Sequence, residues 1–311
     1  MATGHRPVML GEAIDALRLG PEDSVVDATF GGGGHSRLIL DTLGPGGSLL
    51  GIDRDPEAAM RASSLSRDPR FEFVSEDYAG ALWAMVEGGR EADAILFDLG
   101  LSSFQVDEPG RGFSYVNEGP LDMRMDPTSG VSAAEYLNTV EGGELARVLS
   151  EYGDVPRPEA RRVAREVLRR RPLGVTTDLY EAVRAAVGWK DRGGNPAKRV
   201  FQAVRVAVND ELGGLARALE ATERLLVPDG RLVVVTFHSG EDRLVKRFIS
   251  EREGRCVCPP GLPVCVCGAR PVFRRGAVLG PSAREVGENP RSASARLRAA
   301  TRTAEPPGDG G

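Results

Sequence analysis

Short apolar runs alternate along the chain with stretches in which apolar residues recur every three or four positions. Ser24 to Phe30 is such a run, carrying Val25 and Val26, and it ends in Gly31-Gly32-Gly33-Gly34 before a helical pattern with Leu38, Ile39 and Leu43. That reads as strand, glycine turn, helix. The unit repeats with a strand over Ser48 to Asp53 before a helix over Pro56 to Leu65. It repeats again with a strand over Phe71 to Val74 before a helix from about Tyr78, then a strand over Ala94 to Asp98. Such alternation predicts a parallel sheet with helices on both faces. After Asp98 the rhythm breaks. Residues 101–130 are rich in Gly, Pro, Asp and Ser, and 132–190 read as amphipathic helices without a strand among them, the pattern of an insertion. The rhythm resumes with a helix through Leu215 to Leu226, the turn Pro228-Asp229-Gly230, a strand over Arg231 to Phe237 and a helix from Glu241. The expected organisation is an α/β domain in two parts, 1–106 and 215–304, around an all-helical insertion at 107–214, with a disordered tail at 305–311.

The length of 311 residues agrees with a domain plus an insertion, and 41% hydrophobic with 27% charged residues is ordinary globular composition. The longest apolar run, Leu232 to Phe237, is far short of the roughly 20 residues that a membrane span needs. Met1 to Leu10 carries Gly4, His5, Arg6 and Pro7 where a signal peptide would have an apolar core, so a cytoplasmic protein is expected, with no membrane partner. The net charge of −5 hides a strong asymmetry. Residues 1–100 hold 8 basic against 17 acidic side chains, whereas 161–210 hold 12 against 5 and 241–300 hold 12 against 6. Two cationic stretches fit a nucleic-acid footprint as well as they fit solvated helix faces.

Glycines directly after the first strand of a doubly wound sheet let the backbone approach a nucleotide-like ligand. The dinucleotide fingerprint is incomplete, because Ser36 stands where its third glycine belongs, and no lysine follows as a phosphate-binding loop requires. The second strand ends in Gly51-Ile52-Asp53, which puts a carboxylate about 20 residues beyond the glycines, where it can accept from two ribose hydroxyls. Glycine turn and Asp53 together fit S-adenosylmethionine. Asp53 also reads as an acid capping the helix that starts at Pro56, and His35 alone reads as structural. The fourth strand ends in Asp98-Leu99-Gly100-Leu101-Ser102-Ser103. A carboxylate there can orient an amine that is to be methylated, although taken alone Asp98 reads equally as an ordinary end-of-strand acid.

The chain resembles the ribosomal RNA small-subunit methyltransferase H family, also called MraW, over nearly its whole length. The resemblance rests on His5-Arg6-Pro7-Val8-Met9-Leu10, on Asp27-Ala28-Thr29-Phe30 with the four glycines, His35 and Ser36, and on Asp98 through Gln105. It continues through Arg111-Gly112-Phe113-Ser114, Gly119 to Asp126, Asn195 to Ala203, Thr236-Phe237-His238-Ser239 and Asn289 to Arg298. Gly240 is a departure, since the family pattern has Leu before Glu241. The resemblance implies a class I S-adenosylmethionine-dependent methyltransferase fold, Rossmann-like and doubly wound, with an inserted helical domain. It implies methyl transfer to N4 of a cytidine at the decoding centre of 16S rRNA, in the 30S subunit or a late precursor, by a monomer or homodimer. It also implies cofactor contacts from Gly33, Gly34, His35, Asp53, Tyr78, Asp98 and Gln105, with Asp98 catalytic and Tyr78 stacked on adenine. The alternative for Tyr78 is simple packing of its helix.

A gripping surface for RNA is expected on the helix through 195–212. Lys198, Gln202, Arg205 and Asn209 make one polar stripe on it, and Val200, Val204, Val208 and Leu212 an apolar one. Arg199 accompanies the stripe, and Arg291, Arg296 and Arg298 are expected to contact the RNA backbone as well. Cys256, Cys258, Cys265 and Cys267 form two C-x-C pairs around Pro259-Pro260-Gly261, suited either to a structural zinc or to free thiols in a redox-labile loop. Two rivals stand beside the rRNA reading. A DNA amino-methyltransferase should carry a Pro-Pro-aromatic signature after its strand-end acid, and a non-catalytic RNA-binding assembly factor would have no reason to keep the cofactor residues.

Overall fold

The computed structural model describes residues 7–188, 195–254, 258 and 270–303. Of the four cysteines only Cys258 falls within them, so the zinc expectation lies outside the described residues, as does the tail from residue 304.

The chain forms two compact units, Met1–Gly100 with Gly213–Gly311, and Leu101–Leu212. The first opens with helix α1 (Leu10–Leu17), strand β1 (Ser24–Asp27), helix α2 (Gly34–Thr42), strand β2 (Ser48–Ile52) and helix α3 (Pro56–Ala62). Strand β3 (Phe71–Val74), helix α4 (Tyr78–Glu87) and strand β4 (Ala92–Asp98) follow. The second unit holds α5 (Ser103–Asp107), α6 (Ala133–Thr139), α7 (Gly142–Tyr152), α8 (Arg157–Arg170), α9 (Thr176–Val187) and α10 (Pro196–Val208). The chain then continues through α11 (Glu211–Leu225), β5 (Leu226–Thr236), α12 (Ser239–Glu251), β6 (Phe273–Leu279), α13 (Ala283–Glu288) and β7 (Arg296–Arg302).

The seven strands form one sheet in the order β3-β2-β1-β4-β5-β7-β6. β1 to β5 pair in parallel, whereas β7 runs antiparallel between β5 and β6. The sheet is therefore mixed: the strands of the βα alternation pair in parallel as expected, and β7 and β6 add antiparallel pairings at one edge. Arg296 and Arg298 correspondingly lie in an internal strand. Helices cover both faces, so the central strands are buried throughout and read as continuous apolar runs. Val26, Ile95, Phe97, Leu232 and Val234 pack with Leu82 of α4, Leu219 of α11 and Phe248 of α12. Their neighbours Val25, Leu96, Val233 and Val235 face the other way, with Leu17 of α1 and Ile39 of α2. In the second unit one apolar cluster gathers Leu137, Val148, Val163, Leu179, Val200 and Val204 from α6 through α10. Among the described residues no helix is long and apolar enough to cross a membrane.

Candidate active site

The strand order turns back between β1 and β4, and in such sheets ligands bind at the carboxyl ends of the strands flanking that point. The chain puts a carboxylate at each end there, with Asp27 closing β1, Asp53 just past β2 and Asp98 closing β4.

The β1–α2 connection keeps to the sheet before it turns. Ala28 donates to Leu96 O (2.9 Å) and Phe30 to Ile52 O (2.9 Å). Gly33 then starts α2 with φ +73°, a conformation that L side chains rarely adopt. A Cβ there would stand 2.7 Å from Phe30 Cζ, and one on Gly34 would stand 2.2 Å from Pro7 Cγ. The loop is thus bare backbone pressed on its own neighbours, and the N–H groups of the first turn of α2 have no partner within the helix itself. Gly33→Ala is expected to cost about 1–2 kcal/mol from backbone strain alone, read as a lower melting temperature. It should also weaken S-adenosylmethionine binding in calorimetry, and an unchanged affinity would show that the turn does not shape the pocket.

Asp53 braces this turn. Its Oδ2 accepts the Gly31 N–H at 2.8 Å and its Oδ1 the Asp55 N–H at 2.9 Å, while Arg61 Nε donates to Gly31 O at 3.0 Å. Helix capping falls to Asp55, which accepts from Glu57 N at 3.0 Å, so Asp53 is not the cap of α3. Burial is the main reason that the Asp53 carboxyl is held above its usual range.

Asp27 and Asp98 are the innermost acids. Asp27 Oδ2 accepts from Ser36 Oγ at 2.6 Å, and its Oδ1 from Thr29 N at 3.2 Å. Burial outweighs these bonds and pushes its carboxyl up to about 6. The backbone N–H of Asp98 donates to Thr29 Oγ1 at 2.6 Å, and His35 Nδ1 lies 3.5 Å from Asp98 Oδ2. Asp98 Oδ1 is buried with no hydrogen-bond partner among the described residues. Its carboxyl is held well above the usual range, first by burial and then by the negative charges of Asp27, Glu241 and Glu285. Several acids sharing one dry region repel one another, and a cation entering it would relieve them.

Tyr78 begins α4, where Asp77 caps the helix, and its ring meets Phe97 edge-to-face at 5.7 Å and 85°. The ring does pack its helix onto the sheet. Gln105 sits in the second unit, buried on α5, where its Oε1 accepts from Ser102 N at 3.1 Å in a reciprocal cap.

The basic residues divide into two groups. Lys198 on α10 and Arg291 and Arg296 are exposed, and Arg199 is half-buried. Arg205 instead grips Glu211 through two bonds of 2.7 and 2.8 Å, and Arg298 grips Asp242 at 2.8 and 3.0 Å. A phosphate contact from either would first break a partly desolvated pair. The expected polar stripe of α10 is largely turned inward. Gln202 Nε2 donates to Tyr152 O (3.0 Å), and Asn209 holds Met125 N (2.8 Å) and Met123 O (2.7 Å). Asp27 and Ser36 belong to the site although their residue types alone suggest no role for them. The signal for them in the sequence is their spacing across the glycine turn, which returns Ser36 to the end of β1.

A family model described as the MraW methylase family matches residues 2–303. Proteins named "Ribosomal RNA small subunit methyltransferase H" are similar over nearly their full lengths. That of Rubrobacter xylanophilus is 73% identical over 305 residues, covering 98% of each chain. That of Thermomicrobium roseum is 46% identical over 321 residues, covering 98% of this chain and 95% of its own. That of Heliobacterium modesticaldum is 44% identical over 312 residues, covering 96% and 99%.

Proposed function

The chain belongs to the MraW methylase family, and we propose that it methylates N4 of a cytidine at the decoding centre of 16S rRNA, with S-adenosylmethionine as donor. The observation that carries this reading is the buried acid group of Asp27, Asp53 and Asp98, the last of which has an Oδ1 with no hydrogen-bond partner among the described residues. Such a group fits a cationic cofactor and an amine better than a phosphate-rich one. When bound, S-adenosylmethionine supplies an electrophilic methyl on a positively charged sulfur.

The residues of the chain do the rest. Gly33 and Gly34 set the shape of the turn on which the methionine part rests, beside the first turn of α2, with His35 next to it. Asp53, already fixed by two backbone N–H groups, accepts from the ribose. Tyr78 flanks the adenine, and a cofactor contact is proposed for Gln105 as well. The exocyclic amine of cytidine is a weak nucleophile because its lone pair is delocalised into the ring, so it must be held in line and helped to rehybridise. Asp98 accepts from N4 and stabilises the positive charge that develops there. Reaching N4 takes the base out of its stack.

RNA is gripped by the exposed cations Lys198, Arg291 and Arg296 and by the half-buried Arg199. Exchanging Lys198 and Arg296 for Glu should weaken rRNA binding and flatten its dependence on log salt by about 0.7–0.9 for each phosphate no longer neutralised, with cofactor affinity unchanged. The substrate class is tested by offering the enzyme and a labelled methyl donor to 30S subunits, naked 16S rRNA and DNA. Label in RNA is expected. Label in DNA alone would favour the amino-methyltransferase of DNA, and cofactor-free binding to RNA without any transfer would favour an assembly factor.

A further inference from the structure

The carboxyl end of β5 carries a second buried histidine–carboxylate pair, apart from His35 and Asp98. The side chains of His238 and Glu241 are 6% and 3% exposed, and His238 Nε2 stands 3.2 Å from Glu241 Oε1. The other oxygen of Glu241 accepts the backbone N–H groups of Phe237 (2.8 Å) and His238 (3.2 Å). The carboxylate is therefore fixed at the start of α12. A carboxylate close to Nε2 favours the tautomer with the ring proton on that nitrogen, which leaves Nδ1 its lone pair. Both ring nitrogens are buried without a hydrogen-bond partner among the described residues, and Nε2 meets Glu241 only as a close ion-pair contact. A buried polar atom left unmatched calls for an explanation, and a substrate that supplies the missing partner is one.

The pair lies beside the reacting end of β4. Asp98 is paired with Val235 in the sheet, and Leu99 N donates to Val235 O at 2.9 Å, so His238 follows the strand neighbour of Asp98 by three residues. Gly100, just past Asp98, has its Cβ direction 3.1 Å from the Phe237 ring. The charge of Glu241 is among those that hold the Asp98 carboxyl high. Two buried, unmatched atoms thus belong to residues at the carboxyl ends of neighbouring strands, Asp98 Oδ1 and His238 Nδ1, and an amine about to be methylated has two N–H bonds to offer.

We propose that His238 is the base that takes the proton lost from the target amine during methyl transfer, with Glu241 as the residue that orients its ring. The inference rests on the methyl transfer proposed above. The amine lone pair forms the new N–C bond, and the pair of the breaking methyl–sulfur bond stays on sulfur, which becomes a neutral thioether. The positive charge passes to the amine nitrogen, one of its N–H protons moves to His238 Nδ1, and the imidazolium is balanced by Glu241. After the product leaves, the proton returns to solvent. Asp98 keeps the second N–H and the orientation of the base.

The test compares His238→Ala and His238→Gln with the wild-type protein in single-turnover methylation of 30S subunits, beside binding of cofactor and of rRNA. The rate should fall by about 10²–10⁴-fold, with both affinities held. Added imidazole should restore part of the rate in His238→Ala, and substituted imidazoles should do so in order of basicity. A rate close to wild type, or a loss that imidazole leaves untouched in a folded variant, overturns the proposal. Ring nitrogen NMR of the unaltered protein decides the case should the variants fail to fold. The chain has three histidines, and His238 should show its proton on Nε2 and a bare Nδ1. A proton on Nδ1 would overturn the assignment. A wild-type protein that transfers no methyl to any RNA would instead remove the reading on which this one rests.

Discussion

Replacing Asp98 by Asn lowers methyl transfer by about 10²–10⁴-fold while making the cofactor-free protein more stable at neutral pH. Both halves follow from one observation. The Asp98 carboxyl is buried, its Oδ1 has no hydrogen-bond partner among the described residues, and Asp27, Glu241 and Glu285 crowd it with negative charge. Ionising it in the empty protein is unfavourable, so a neutral side chain of the same shape removes a burden. An amide, however, cannot offset the positive charge that grows on an amine during methylation. Trading stability for a site that is poised for charge is common where chemistry is done. Single-turnover rates and thermal melting of the same variant check both halves together. A variant that melts higher but transfers methyl normally would strip Asp98 of its role, and one that is inactive because it melts lower would make the role structural.

The second large effect is a dependence on pH carried by Asp27. Its carboxyl is held at about 6 in the folded chain against an ordinary value of 3.8, chiefly because it is buried. A raised acid contributes stability that is fully present below the lower value and is lost as pH climbs through the higher one. The cofactor-free protein should therefore lose about 3 kcal/mol of stability between roughly pH 4 and pH 6 from this group. Asp53 and Asp98, also raised, add to the loss in the same direction. Asp27→Asn should flatten that slope. Binding of a cation favours the ionised acids, so affinity for S-adenosylmethionine should increase over the same window, with protons released on binding. Calorimetry in buffers of differing ionisation enthalpy counts those protons. A binding constant independent of pH from about 4 to 7, with no proton release, would contradict the view of the pocket as an acid cluster awaiting a cation.

Much of this site is visible in the sequence because it sits where strands end. The run Val25-Val26 before four glycines, and the acids that close Ile52-Asp53 and Phe97-Asp98, mark the carboxyl edge of a sheet whose strands are buried on both faces. β7 and β6 are harder to see. Arg296, Arg298 and Arg302 alternate along β7, and Arg274 and Arg275 interrupt β6, so neither segment has the apolar run that marks a buried strand. The structure shows why arginines are tolerated in β7. Arg298 is matched by Asp242, and Arg302 donates to Val272 O at 3.2 Å and Glu223 O at 3.1 Å.

The polar stripe of α10 illustrates a different limit. Periodicity correctly gathers Gln202, Arg205 and Asn209 on one side of a helix, but it does not say what that side meets. Tyr152, Glu211 and the 123–125 segment bring partners from elsewhere in the sequence. Ser36 and Asp27 are nine residues apart and become neighbours only because the glycine turn folds α2 back over β1. Their pairing is a property of the turn's shape, which residue types alone leave open.

The central claim concerns an atom, N4 of a cytidine, and it is tested by identifying the methylated nucleoside. Unmethylated 30S subunits are incubated with the purified protein and labelled S-adenosylmethionine, the rRNA is digested, and the product is identified by mass spectrometry. N4-methylcytidine from 16S rRNA is the predicted result. Label on a ring carbon or a ribose oxygen would contradict it, because a carboxylate and an imidazole that accept protons from an amine would then have no amine to serve, and label on the amine of another base would contradict the choice of cytidine.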